Sequence, residues 1–232
     1  MIKAVLFDLD GTLYDYDSAH TRGFRALSIW AAETLGLSAS RFRALHREAM
    51  EEQIRSLGPV HASIHSRIIR YQIILEMTGR PVHYALEMSD RYWDAFLRGL
   101  EAYPGTAECL HSLRTAGHLV GIGTNMTAEY QYRKLDRMGL LDQIDFMLTS
   151  EEAGADKPDS RFFARCLDKA GCNPAECVFV GDNPAHDVLA PLREGMRAVW
   201  FRVDPSTAVP EGLDAVPQTA SLKDLPALLA KW

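Results

Sequence analysis

Two aspartates that could do chemistry stand one residue apart near the start of the chain. Asp8 and Asp10 are followed at once by Gly11 and Thr12. Because side chains alternate along an extended chain, the two carboxylates are expected to point to the same side. Carboxylates that close repel each other unless a cation or a shared proton lies between them, and Gly11 permits close approach of the backbone to a ligand. The pattern therefore indicates a site for a metal ion and an anion, with one acid free to act chemically.

A structural turn and a calcium-binding loop are the alternatives for this motif. An EF-hand loop needs glycine at its sixth position and a glutamate further on. Counted from Asp8, the sixth residue is Leu13, which excludes the EF-hand. An ordinary turn stays open on the motif alone.

Further polar side chains follow three other apolar stretches of the chain. They are Thr124 and Asn125, then Lys157 before Pro158, then Asp182 and Asn183 with Asp187. A hydroxyl, an amide and an ammonium suit phosphoryl oxygens, whereas a second pair of carboxylates suits Mg²⁺. Each group also has a plain structural alternative, because Thr124 and the aspartates can cap helices and a loop lysine is usually solvated.

The elements that would position these residues are predicted from hydrophobic periodicity. The apolar run 4–7 is typical of a buried strand, and beyond residue 103 strands alternate with helices, which predicts an α/β fold with a doubly wound, parallel, Rossmann-like sheet. The predicted strands are 4–7, 119–123, 146–148, 177–180 and 198–201, the predicted helices are 106–116, 128–138, 161–170, 187–193 and 222–229, and 204–217 is a predicted surface loop. Parallel strands present their carboxyl ends at one edge, so the polar residues are expected to converge there.

Residues 16–100 interrupt this alternation with helical patterns only. Helices are predicted over 22–35, 40–57, 61–77 and 84–97, and they form an inserted four-helix cap. The predicted domains are a core of 1–15 with 101–232 and a cap of 16–100. The cap segment has eleven Arg, no Lys and nine acidic residues, whereas the rest has 14 basic and 22 acidic residues. This balance suits an anionic substrate, although solvated helix faces explain it equally well.

Composition and charge exclude several classes of partner. The chain of 232 residues has a net charge of −6, which argues against a nucleic-acid polymer or a membrane surface as partner. A strand pattern begins directly after Met1 and no apolar run approaches the ~18 residues of a membrane span, so neither a signal peptide nor an anchor is expected. The four cysteines form no C-x-x-C pair and are expected to be buried thiols, which favours a cytoplasmic location. A homodimer is compatible with the sequence.

With these motifs in this order, the chain resembles the haloacid dehalogenase superfamily, in the phosphatase branch with a helical cap. The resemblance spans almost the whole chain and rests on Asp8-x-Asp10-Gly11-Thr12, Thr124, Lys157-Pro158 and Gly181-Asp182-x-x-x-x-Asp187. Within that branch, Ser150-Glu151-Glu152 followed by Gly154 and Lys157-Pro158 is similar to house-cleaning nucleotidases and N-acylneuraminate phosphatases.

The resemblance implies a role for each acidic residue of the motifs. Asp8 would be the nucleophile that forms an aspartyl-phosphate, and Asp10 would be the general acid and base. Mg²⁺ would be the cofactor, held by the Asp8 carboxylate, the backbone carbonyl of Asp10 and Asp182. Asn183 and Asp187 would lie close by, in contact with the metal ligands or bound through water.

The resemblance also implies that Thr124, the backbone of Asn125 and Lys157 hold the phosphoryl oxygens. The predicted function is a Mg²⁺-dependent phosphatase that hydrolyses small phosphorylated metabolites, namely nucleotide, sugar or organic-acid monophosphates. A sugar phosphomutase with the same intermediate, a metal-free haloacid dehalogenase and a non-catalytic binding module are the alternatives. The cap is expected to select the substrate, with candidate contacts at its entrance from Tyr14, Asp17, His20 and Arg22.

Overall fold

The chain divides into two compact units, a core of Met1–Asp15 with Glu101–Trp232 and a cap of Tyr16–Leu100. The computed structural model describes residues 1–204, 206, 209–210 and 212–232. Of the predicted surface loop 204–217, residues 205, 207, 208 and 211 lie outside the described residues. Among the helices that the structure describes, none combines the length and apolar character needed to cross a bilayer.

The core unit is built on a parallel sheet of six strands in the order β3-β2-β1-β4-β5-β6. The strands are β1 (Ala4–Phe7), β2 (Leu119–Thr124), β3 (Phe146–Thr149), β4 (Cys177–Gly181), β5 (Arg197–Phe201) and β6 (Gln218–Thr219). This order, which grows outward in both directions from β1, is that of a doubly wound α/β sheet. The predicted Rossmann-like fold class is therefore confirmed.

The central strand β1 fixes where the polar residues of the first motif emerge. All four of its residues are buried, because β2 and β4 pair with it on either side. Phe7 is in register with Ile122 of β2 and with Val180 of β4. The three strands therefore end within two residues of one another, and the residues that follow them start from one edge of the sheet.

The helices of the core alternate with the strands as predicted, but their bounds differ from the predicted ones. They are α5 (Thr106–Thr115), α6 (Ala128–Arg137), α7 (Ser150–Ala153), α8 (Ser160–Ala170), α9 (Ala190–Arg193) and α10 (Leu225–Leu229), numbered after four helices in the cap. The predicted helix 187–193 is instead a π-helical turn, Pro184–Leu189, followed by α9. The predicted helix 222–229 begins as a 3₁₀ turn, Leu222–Asp224. Neither α7 nor β6 was predicted, because four- and two-residue elements are too short to show periodicity.

The cap unit contains the helices α1 (Tyr16–Leu35), α2 (Ala39–Leu57), α3 (Arg67–Met77) and α4 (Tyr84–Leu97). The first helix begins six residues before the predicted start at residue 22, at Tyr16. The predicted helix 61–77 is divided into a 3₁₀ turn, Ala62–His65, and α3, because Ser66 caps α3 by accepting a hydrogen bond from the amide of Ile69. Gly23 lets α1 approach α4 closely, since a Cβ there would lie 2.9 Å from the ring of Tyr92.

Candidate active site

Asp8 leaves the carboxyl end of β1 and points into a cluster of acidic side chains. Its amide continues the strand ladder by donating to the carbonyl of Val180 over 2.9 Å, which fixes the direction of the side chain. Suitable oxygens of Asp8, Asp182 and Asp187 all lie within 4.8 Å of one another. Lys157 lies between two of them, and its Nζ donates to Asp8 Oδ1 over 2.6 Å and to Asp187 Oδ1 over 2.7 Å. The segments after β1 and β4 thus bring three carboxylates together, and the loop before Pro158 brings one ammonium to the same point.

Two glycines make this close approach possible. Gly11 has φ +88°, and a Cβ there would lie 2.7 Å from Asp182 Oδ2. A Cβ on Gly181 would lie 2.4 Å from the Cβ of Asp187. Because neither contact is tolerable, a side chain at position 11 or 181 would push an aspartate out of the cluster.

Local hydrogen bonds hold Asp182 and Asp187 in place. Thr12 Oγ1 donates to Asp182 Oδ1 over 3.0 Å and accepts from the Asp182 amide over 3.1 Å. Asp187 Oδ2 accepts from the amide of Asn183 over 3.0 Å. The side chain of Asn183 caps the π-helical turn by accepting from the amides of Ala185 and His186. Asn183 therefore supports the loop that carries both carboxylates.

The cluster carries more negative charge than Lys157 can balance. Burial, and then the charges of Asp187 and Asp182, raise the pKa of Asp8 to about 8, although Lys157 opposes the rise. Burial, and then Asp187, raise the pKa of Asp182 to about 6. Carboxylates with raised pKa values at this spacing are the donors that a hard divalent cation such as Mg²⁺ binds, so the residues present fit a metal ion.

A cavity of about 170 Å³ lies over the cluster. All eight residues that the sequence predicted for the site line it, together with His186: Asp8, Asp10, Thr124, Asn125, Lys157, Asp182, Asn183 and Asp187. The structure therefore brings every predicted site residue to one place. The roles that the resemblance implied for them stay predictions.

Asp10 lines the cavity, but its carboxylate binds side chains outside the cluster of Asp8, Asp182 and Asp187. Lys134 Nζ donates to Asp10 Oδ1 over 2.7 Å and to Oδ2 over 2.9 Å. The hydroxyl of Tyr14 donates to Oδ1, and Gln131 Nε2 lies 3.4 Å from Oδ2. These donors fix the orientation of the Asp10 carboxylate.

The predicted phosphate-binding residues line the cavity and are joined by hydrogen bonds. Asn125 Oδ1 accepts from the amide of Lys157 over 2.8 Å, and Asn125 Nδ2 donates to the Lys157 carbonyl over 3.3 Å. Gln131 Nε2 donates to Thr124 Oγ1 over 2.7 Å and to the carbonyl of Asn125 over 2.9 Å. The side chain of Asn125 thus positions the backbone of Lys157, while the Thr124 hydroxyl accepts from Gln131 and donates to the Asn125 carbonyl over 3.2 Å.

Sequence reasoning missed Gln131 and Lys134, and it misjudged Tyr14. Gln131 and Lys134 lie three residues apart on α6 and therefore share the face that meets Thr124 and Asp10. Two polar residues three positions apart, shortly after Thr124-Asn125 in the sequence, were the signal that could have predicted these contacts. Tyr14 was a candidate for contact with the leaving group at the cap entrance, but it is fully buried and its hydroxyl binds Asp10.

Comparisons with known proteins agree with the geometry. A family model described as haloacid dehalogenase-like hydrolase matches residues 2–195. The chain is 37% identical to a ribulose-1,5-bisphosphate 5-phosphatase of Halopiger xanaduensis, over 89% of this chain and 86% of that protein. It is 32% identical to a glyceraldehyde 3-phosphate phosphatase of Methanothermobacter thermautotrophicus, over 86% and 85% of the two chains. The structure also matches the crystal structure of a 2-haloacid dehalogenase from Pseudomonas syringae, with a TM-score of 0.77 and 28% sequence identity, and the match covers 100% of each chain.

Proposed function

The chain belongs to the family of haloacid dehalogenase-like hydrolases, and from this premise we propose that it is a Mg²⁺-dependent phosphatase of small phosphorylated metabolites. One observation supports this proposal above all others. Asp8, Asp182 and Asp187 offer oxygens within 4.8 Å of one another beside the ammonium of Lys157. A site that works without metal has no need of so many carboxylates, whereas transfer of a phosphoryl group needs positive charge beside its oxygens.

Mg²⁺ would be held by Asp8 and Asp182, with the backbone carbonyl of Asp10 as a further ligand and Asp187 close by. When bound, the ion would neutralise the nucleophile and the phosphoryl oxygens, so that two anions can approach each other. Lys157 supplies the second positive charge of the site. Asp187 and Asp8 raise its pKa well above the usual range although burial acts against them, so Lys157 is protonated at neutral pH.

Asp8 and Asp10 divide the chemistry between them in this proposal. A carboxylate oxygen of Asp8 attacks phosphorus, and the bond from phosphorus to the leaving oxygen breaks as Asp10 transfers its proton there. Asp10 then takes a proton from a water molecule, which attacks phosphorus and releases phosphate with Asp8 restored. Lys134 and Tyr14 donate to the Asp10 carboxylate and so hold it in one orientation.

The names of two relatives support a narrower class of substrate. One relative is named for ribulose 1,5-bisphosphate and another for glyceraldehyde 3-phosphate, both small sugar phosphates. We propose the same class for this chain, with nucleotide and organic-acid monophosphates as the other members of the range to be screened. Hydrolysis of an aryl phosphate without any sugar-phosphate acceptor separates this function from that of a phosphomutase.

The proposal is tested with purified protein and an aryl phosphate. We expect turnover with Mg²⁺, loss of turnover with a chelator and recovery when Mg²⁺ is added back. Asp8→Asn should lower kcat by several orders of magnitude because the nucleophile is gone. Asp168→Asn, whose side chain is 72% exposed on α8, is the matched control and should keep normal turnover. Undiminished activity in the chelator, or release of halide from 2-chloropropionate in its place, would overturn the proposal.

The role of Asp10 is tested with a series of leaving groups. Asp10→Asn should slow poor leaving groups far more than good ones, because a good leaving group departs without a proton. An equal loss across the series would assign Asp10 a different role.

A further inference from the structure

Two arginines in the first turn of α3 carry positive charge into the interior of the cap. Arg70 is 4% exposed, and Arg67 is partly buried one turn before it. The aromatic residues Tyr16, His20 and Tyr92 surround Arg67, and its guanidinium carbon lies 5.0 Å from the centre of the Tyr92 ring.

Neither guanidinium has a carboxylate partner among the described residues. Arg70 donates only to neutral acceptors, Gln53 Oε1 over 3.0 Å and the carbonyl of Ile64 over 2.7 Å. Arg67 Nη2 reaches the hydroxyls of Tyr16 and Tyr92 at 3.2 and 3.4 Å. Hydrogen bonds from a guanidinium to its proper anionic partner are shorter, about 2.7–2.9 Å. Arg67 therefore forms no salt bridge with any carboxylate of the described residues.

The helix itself adds to the positive charge. Arg67 is the first residue of α3, an 11-residue helix with no acidic residue in its first turn. The N-terminus of a helix carries about half a positive charge, so cations are unfavourable there and anions are favourable. Burial, and then the charge of Arg67, lower the pKa of Arg70 to about 10.

Several buried polar atoms around the arginines lack a hydrogen-bond partner. Among the described residues they include Arg67 Nε, Tyr71 Oη and His46 Nε2. Burial, and then Arg67, lower the pKa of His20 to about 4, and burial, Arg70 and Arg67 lower that of His46 to about 3, so both are neutral at pH 7. Unsatisfied buried groups cost free energy unless a ligand satisfies them.

We propose that the N-terminus of α3, with Arg67 as the principal ligand and Arg70 behind it, forms a binding site for a phosphate group in the cap. Two guanidiniums and a helix N-terminus together match the charge of a phosphate better than that of a single carboxylate. The phosphate belongs either to a substrate with a second phosphate group or to free inorganic phosphate. The site is built from residues of the cap alone and exists whether or not the core is an active phosphatase.

Inorganic phosphate with the whole protein tests the site directly. The titration is done by calorimetry at constant ionic strength and with a chelator present. Without a metal ion, the acidic residues of the core disfavour binding of phosphate there. Wild type should bind phosphate, and Arg67→Gln should bind it about 10- to 100-fold more weakly, because a charged hydrogen-bonding group is lost. Arg55→Gln makes the same charge change at a cap residue whose side chain is 71% exposed and should bind as wild type does.

The folded state of the variant gives an independent readout. Without phosphate, Arg67→Gln should unfold at the same or a higher temperature than wild type, because an uncompensated charge has been removed. With phosphate, the thermal midpoint of wild type should rise and that of Arg67→Gln should not. Equal phosphate affinity in wild type and Arg67→Gln, or no phosphate binding by wild type, would overturn the site.

Kinetics separate the two sources of the phosphate, and this step rests on the proposed function. The ratio of kcat/KM for a sugar bisphosphate to kcat/KM for the matching monophosphate is measured for wild type and Arg67→Gln. If the phosphate belongs to the substrate, this ratio should fall about 10-fold or more in Arg67→Gln. An unchanged ratio with a lost phosphate affinity assigns the site to free phosphate, whereas failure of all turnover would refute the phosphatase and leave the calorimetry valid.

Discussion

The pair formed by Lys134 and Asp10 gives the sharpest test of how the core is assembled. Lys134 is 0% exposed and Asp10 is 24% exposed at their side chains. Breaking a fully buried ion pair costs about 3–5 kcal/mol, chiefly because one charge is left without a partner. Asp10→Asn leaves the charge on the fully buried lysine, so we expect the free energy of unfolding to fall by about 3 kcal/mol, near the lower end of this range. Lys134→Met leaves the charge on a carboxylate that water reaches and that Tyr14 still contacts, so we expect about 1–2 kcal/mol.

Urea denaturation followed by far-ultraviolet circular dichroism measures both variants and the double variant. The double variant should lose less stability than the sum of the single losses, with a coupling energy of about 1–2 kcal/mol. Arg133→Met is the matched control one position away on α6, because Arg133 pairs with Glu129 while both side chains are more than half exposed. This control should unfold close to wild type, as exposed pairs contribute little.

The relative stability losses of the two single variants test whether the unpaired charge on the buried lysine is the larger cost. A larger loss of stability in Lys134→Met than in Asp10→Asn would refute the buried ion pair as the source of these effects. A loss in the double variant equal to the sum of the single losses would refute it as well. A loss in Lys134→Met no larger than that of Arg133→Met would likewise mean that the buried ammonium contributes nothing to the fold.

Two further changes probe the backbone of the site and the histidines of the cap. In urea denaturation, Gly11→Ala should lower the free energy of unfolding by more than the ~1–2 kcal/mol that an alanine with a left-handed backbone costs, because its Cβ would lie 2.7 Å from Asp182. Gly36 has φ +64° and open space around it, so Gly36→Ala should cost only the backbone strain. A Gly11→Ala loss equal to that of Gly36→Ala would contradict the close approach. The pKa of His46 is lowered to about 3, so the unfolded chain binds the proton more readily and stability is full above pH 6.5 and falls below it. Between pH 7 and pH 5 wild type should therefore lose about 1–2 kcal/mol more than His46→Gln, and parallel pH profiles of the two proteins would refute this.

The sequence alone determined the fold class and the candidate site. An apolar strand ending in Asp8-x-Asp10-Gly11 and the later alternation of strands and helices are local patterns, and each is visible without knowing any tertiary contact. Parallel strands bring their carboxyl ends together whatever their order, which is why the polar residues after β1, β2 and β4 could be placed at one edge. The bounds of helices were less exact, because caps such as Ser66 and short turns depend on hydrogen bonds that periodicity does not show.

Only the tertiary structure decided which charges are paired. Asp10 meets Lys134 across 124 positions of sequence and Lys157 meets Asp8 across 149, and no local pattern connects such residues. The same holds for Arg67 and Arg70, which look in the sequence like ordinary residues of a solvated helix. Packing buries Arg70 and partly buries Arg67 beside tyrosines, and neither forms a salt bridge with a carboxylate in the part of the chain that the structure describes. Side-chain periodicity encodes which face of an element is apolar, whereas the partner of a charge is set by burial and by distances between elements, and these exist only once the chain has folded.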